Sequence, residues 1–86
     1  MDEIRTPADD DAKVEAAVLH HLLALHPAQI SFDELAREIC AEPDDFGERD
    51  AVERAVRDLA AAGLLHRSGA LILASRAAVR LDQLLG

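Results

Sequence analysis

Residues 50–74 read DAVERAVRDLAAAGLLHRSGALILA, from Asp50 to Ala74, and their pattern decides the fold. Val52, Ala55, Val56, Leu59 and Ala60 recur at helical spacing, which gathers them on one face and leaves Arg49, Glu53, Arg54, Arg57 and Asp58 on the other. An amphipathic helix follows. Gly63 stands where the periodicity stops, and a glycine suits the position just past a helix end, where the backbone takes a positive φ. Leu64 to Arg67 and Ala70 to Leu73 are then two short strand-like runs, and the two residues between them, Ser68 and Gly69, fit a tight hairpin turn.

Working outward toward the N-terminus, Ser31-Phe32-Asp33-Glu34 has the spacing of a capping box, in which the serine accepts from the amide three residues on. It opens a second helix with Leu35, Ala36, Ile39 and Cys40 at helical spacing, and Glu42-Pro43-Asp44-Asp45 breaks it. Asp45 with Glu48 and Asp50 with Glu53 are both possible capping boxes, so the following helix starts at Phe46 or as late as Ala51. The connection between the two helices is long, and it either lifts Asp44 and Asp45 toward an anionic ligand, which they would oppose, or packs away through Phe46. Before Ser31, Gln29 and Ile30 fit a short strand. A long first helix precedes them, with Thr6 as its N-cap and Pro7 at its first position. Its apolar stripe is Ala17, Val18, His21, Leu22 and Leu25, and it ends at His26 before Pro27. Asp9, Asp10 and Asp11 favour its N-terminal dipole. Residues 1–6 are expected to fray and residues 7–86 to form a single domain.

At the other end, Ser75 caps a last helix in which Ala77, Ala78, Leu81, Leu84 and Leu85 keep helical spacing, with Arg76, Arg80 and Asp82 on its wet side. Leu19 and Leu23 widen the apolar face of the first helix. They either pack on the C-terminal segment or, with Leu81, Leu84 and Leu85, form a dimer interface.

Composition narrows the function. The chain has 86 residues, 17 acidic and 9 basic side chains and a formal charge of −8, with half of its residues hydrophobic. Phe32 and Phe46 are its only aromatics, which leaves little to stack on unpaired bases and disfavours single-strand binding. Cys40 has no partner for an internal disulfide, and no apolar run approaches the roughly 20 residues of a membrane span. A cytoplasmic setting is expected, and eight Arg against one Lys among many alanines fits a GC-rich bacterial genome. The charge is unevenly placed. Residues 1–48 carry a net −10 and residues 49–86 a net +2, so cations favour the half with the central helix and hairpin.

Helix, Gly63-Leu64-Leu65, hairpin: this arrangement resembles the second half of a winged helix-turn-helix domain. The matching residues are Ala51 to Ala62 for the helix offered to the DNA major groove and Arg67 to Leu71 for the wing tip. The resemblance implies a mainly α fold with a small β-hairpin, a winged helix-turn-helix carrying an additional C-terminal helix. It also implies a bacterial transcriptional regulator that binds duplex DNA, with Arg49, Glu53, Arg54, Arg57, His66, Arg67 and Arg76 as the contact residues. In several such families an added helix pairs with the first to form a homodimer.

The chemistry of those residues agrees with this expectation. Arginine pairs with guanine or phosphate, and Glu53 can accept from cytosine N4. The same carboxylates support the alternative of a winged helix that binds a protein partner through its acidic surface and makes no DNA contact. The plainer reading of the helix is a solvated surface with Asp50–Arg54 and Glu53–Arg57 pairs. Catalysis finds no support, since Ser31 and Ser75 are better read as caps and no nucleophile-elbow, P-loop or dinucleotide pattern occurs. His20, His21 and His26 are not spaced as metal ligands on one helical face, so neither metal nor cofactor is expected.

Overall fold

The computed structural model describes residues 7–42 and 45–86, with side chains from residue 10 onward. Met1 to Thr6, including the proposed N-cap, and the Pro43-Asp44 part of the helix break lie outside it. The described residues form four helices and three short strands: α1 (Pro7–Leu25), β1 (Ile30–Ser31), α2 (Phe32–Ile39), α3 (Phe46–Ala61), β2 (Leu65–Ser68), β3 (Leu71–Ala74) and α4 (Arg76–Leu85). This is a mainly helical fold with a small antiparallel sheet of order β1-β3-β2.

The cap chemistry positions most of the helix ends. Ser31 Oγ accepts from Glu34 N at 3.2 Å, so the serine half of the expected capping box forms. Asp45 Oδ1 accepts from Glu48 N at 3.2 Å, which resolves the two possible starts of α3 in favour of Phe46. Glu48 then uses its own carboxylate to accept from Glu42 N at 2.8 Å, tying the connection down at its other end. Phe46 does not anchor that connection: it is 82% exposed.

At its C-terminus α3 stops as its glycine requires. Gly63 has φ +81°, Leu64 N donates to Leu59 O at 2.9 Å and Gly63 N to Ala60 O at 3.0 Å, the paired bonds of a Schellman ending. Ser75 closes the same corner from the other side. Its hydroxyl donates to Gly63 O at 2.7 Å and accepts from Ala78 N at 3.1 Å, so one buried side chain caps α4 and holds it against the end of α3. Such a cap contributes about 1 kcal/mol.

Three boundaries differ from expectation. The hairpin strands are shifted by one residue, with Ser68 paired to Leu71 and the link made by Gly69 and Ala70 instead of Ser68 and Gly69. Gly69 has φ +61° and no other hairpin residue has a positive φ; a type II′ link needs its glycine first, which fixes the shift. The first strand is Ile30–Ser31 in place of Gln29–Ile30, because Ser31 serves as β-partner of Leu71 as well as helix cap. α1 ends at Leu25, one residue short of His26.

The core lies where α1, α2 and α3 meet one face of the sheet. Val18, Leu22, Leu35, Val52, Val56, Leu65 and Ile72 are its largest fully buried side chains. Ile30 and Ile72 face each other across β1 and β3, and Leu65 faces Ala74 across the hairpin, so each strand contributes an inward residue. The stripes of α1, α2 and α3 are borne out except at the exposed Ala17, whereas in α4 only Ala78 of the expected stripe is buried and Ala77, Leu81, Leu84 and Leu85 are exposed. Alanine buries so little area that the turn of the helix, and not the residue, decides which way it faces.

Candidate nucleic-acid interface

α3 and the hairpin bring five of the expected contact residues onto adjoining surfaces. Arg49, Glu53, Arg54 and Arg57 lie along α3, and Arg67 reaches it from β2. The Asp50–Arg54 and Glu53–Arg57 pairs within the helix do not form; longer-range partners take their place. Arg49 Nη2 meets Asp33 Oδ1 at 2.8 Å, Arg54 Nη2 meets Asp11 Oδ1 of α1 at 3.3 Å, and Arg67 Nη1 meets Glu53 Oε1 at 3.0 Å. The reason is steric. Arg54 is at the border of α3 with α1, and Glu53 is on the flank that faces β2, so each finds a cross-element partner closer than the next turn of its own helix.

Arg57 differs from these. It is exposed on the outer face of α3 and makes no hydrogen bond or ion pair among the described residues. Arg76, the first residue of α4, is likewise exposed and without a partner among them, but no contact joins it to the α3 group. His66 is exposed on β2 and, by strand alternation, projects from the opposite face to Arg67. The helix and hairpin thus assemble Arg49, Glu53, Arg54, Arg57 and Arg67, and leave His66 and Arg76 apart.

Phe32 joins the group although nothing in its spacing marks it. The Arg49 guanidinium carbon is 5.5 Å from the centre of its ring and that of Arg67 is 5.9 Å away, both within cation–π range. The one available signal is an aromatic residue immediately after a helix cap, and the ring also packs partly on the core. Asp33, the next residue, belongs to the first turn of α2 and also pairs with Arg49.

The remaining candidates for chemistry are dispersed. Among the described residues no group of three or more His, Cys, Asp or Glu side chains could hold a metal ion. Cys40 is buried; burial pushes its thiol up, with Glu48 and Asp45 adding to the rise and Arg49 opposing it. It stays a neutral thiol at physiological pH and behaves as a small core residue. A shallow cleft of about 420 Å³ between α1 and α2 is lined by His21, Gln29, Glu34, Arg37 and Glu38 over Leu25 and Ile30, on surfaces separate from the α3 group. No helix among the described residues is long and apolar enough to cross a membrane.

At the C-terminus, Leu81 is 48%, Leu84 66% and Leu85 79% exposed. Leu19 and Leu23 are half-buried against the core. Comparison with known proteins adds no relative: no protein family, no curated protein and no solved structure matches this chain.

Proposed function

We propose that this chain is a winged helix-turn-helix domain that binds duplex DNA through α3 and the β2–β3 hairpin, as a bacterial transcriptional regulator in the cytoplasm. The fold assignment is supported by the order α1-β1-α2-α3-β2-β3 and by the pairing of β1 with β3 beside the hairpin. One observation carries the functional reading: Arg57 is free on the outer face of α3 beside Arg54, while the hairpin's Arg67 is joined to the same helix through Glu53. Helix and hairpin therefore offer guanidiniums along one surface. Exposed ion pairs such as Arg54–Asp11 are worth roughly 0–1 kcal/mol, so a phosphate can displace the carboxylate at little cost. The role is binding, not catalysis.

The test is a titration of labelled random-sequence duplex with the purified protein at several salt concentrations. Non-specific affinity of about 10⁻⁴–10⁻⁶ M near physiological salt, tightening steeply as salt is lowered, is the expected result. An absence of binding at low salt would reject the DNA reading, because that affinity needs no specific operator.

A second reading rests on the same ion pairs. Three of the four arginines on the helix–hairpin surface already have carboxylate partners, and Asp45, Phe46 and Asp50 are exposed at the N-terminal end of α3. That surface suits a basic, partly apolar protein segment, and such a segment is what a failed DNA titration would leave to look for.

The homodimer belongs to the proposal as well, through Leu81, Leu84 and Leu85 of α4. Leu19 and Leu23 are already occupied in part by the core and contribute less. Changing Leu84 and Leu85 together to Asp is expected to turn a dimer into a monomer in light scattering at micromolar concentration, with the helical circular dichroism retained. A wild-type monomer at the same concentration would remove the dimer from the proposal.

A further inference from the structure

Two guanidiniums from distant parts of the chain share the Phe32 ring, at 5.5 Å for Arg49 and 5.9 Å for Arg67. Like charges brought onto one ring repel each other, and the structure offsets this with one carboxylate for each: Asp33 at 2.8 Å from Arg49 and Glu53 at 3.0 Å from Arg67. The arrangement separates two tasks. The half-buried ring holds each guanidinium by its face, whereas the carboxylates occupy the N–H edges that would otherwise bind an outside anion.

Asp33 and Glu53 are not equivalent. Asp33 neighbours Phe32 at the start of α2, where a carboxylate also favours the helix dipole. Glu53 caps no helix: it lies mid-helix on α3, four residues from Arg49, and its carboxylate accepts from Arg67. The Arg67 and Glu53 side chains are 38% and 43% exposed, so an outside anion can reach the pair. A phosphodiester offers the same pair of anionic oxygens and can replace the carboxylate without moving Arg67 off the ring.

We infer that Phe32, Arg49 and Arg67 form a phosphodiester-binding site, and that Glu53 is its gate, occupying Arg67 in the free protein and lowering its affinity for DNA of any sequence. The inference rests on the DNA-binding reading of α3 and the hairpin. It gives Glu53 a task other than accepting from cytosine: a duplex binds well only where its remaining contacts repay the displacement of this carboxylate, which makes the gate a filter against non-specific sites.

The experiment is the labelled random-duplex titration repeated with Glu53→Gln, Arg67→Ala, the double variant and Asp50→Asn, each checked by circular dichroism. Uncovering one cation adds about one phosphate contact, so Glu53→Gln is expected to bind roughly tenfold more tightly near 50 mM salt and to steepen the salt slope by about 0.9. In the Arg67→Ala background the same change is expected to gain less than about twofold. Asp50→Asn, which removes an exposed carboxylate from the same helix without freeing an arginine, is expected to gain less than Glu53→Gln. The gate is overturned if wild-type protein binds and Glu53→Gln does not gain. It is equally overturned if the gain survives without Arg67 or is matched by Asp50→Asn, since either result reduces Glu53 to general repulsion. Absence of binding by both wild type and Glu53→Gln overturns the DNA reading itself, and the site with it.

Discussion

Arg57→Glu is expected to weaken binding to random-sequence duplex about 200-fold near 50 mM salt and to flatten the salt slope by about 1.8, because reversing one charge removes a cation and adds an anion at the DNA surface. Arg57 is the cleanest residue for this test. It is exposed and has no partner among the described residues, so no existing bond is lost from the folded state. The new carboxylate lies four residues from Glu53 on the same helix, a like-charge spacing that costs only about 0.2–0.5 kcal/mol of stability. Arg54→Glu would instead place an anion against Asp11, which Arg54 now pairs with, and would disturb the contact between α1 and α3. Fluorescence anisotropy of the labelled duplex reads the effect directly. A loss of less than about threefold with an unchanged slope would mean that Arg57 does not face the phosphates.

Leu22→Ala carries the largest expected effect on stability. Leu22 is fully buried at the middle of the α1 contact with the rest of the core. Truncating a leucine in such a site costs about 2–5 kcal/mol, the removed methyl groups and the unfilled cavity both contributing. Domains of this size have roughly 5–15 kcal/mol in total, so the variant should lose a substantial part of its stability. Its melting midpoint should fall by roughly 10–30 °C in a far-ultraviolet circular dichroism melt. Leu84→Ala, on a side chain 66% exposed, serves as the comparison and should change the monomer's unfolding free energy by less than about 0.5 kcal/mol. If Leu22→Ala cost under about 1 kcal/mol, α1 would not be anchored in the way described.

What the sequence made legible was local. Ser31, Asp45, Ser75 and Gly63 each sit at a helix end whose unpaired backbone groups accept only a few side chains or only a glycine, so their roles follow from neighbours within three or four residues. Apolar spacing likewise placed Val52, Ala55, Val56 and Leu59 in the core. The hairpin slipped by one residue because a two-residue link containing glycine is compatible with either placement until the sign of φ at each position is known. The arginine partners were not legible at all. Asp33 is 16 residues from Arg49 and Asp11 is 43 residues from Arg54, so only the packing of α1 and α2 on α3 brings them together. The same holds for Phe32, whose role depends on two cations arriving from α3 and β2. Element ends are decided by adjacent residues, whereas the electrostatics of the candidate site are decided by tertiary packing.

Ser75 has a consequence beyond capping. Its hydroxyl bonds both the residue just past one helix and the first turn of the next, through Gly63 O and Ala78 N, and its amide donates to Leu64 O. The end of α3 and the start of α4 are thereby fastened to each other. In the proposed dimer joined at α4, this fastening would hold the two copies of α3 at one separation. The protein would act as a ruler on DNA, accepting two half-sites at one separation and rejecting the same half-sites moved apart by even a few base pairs.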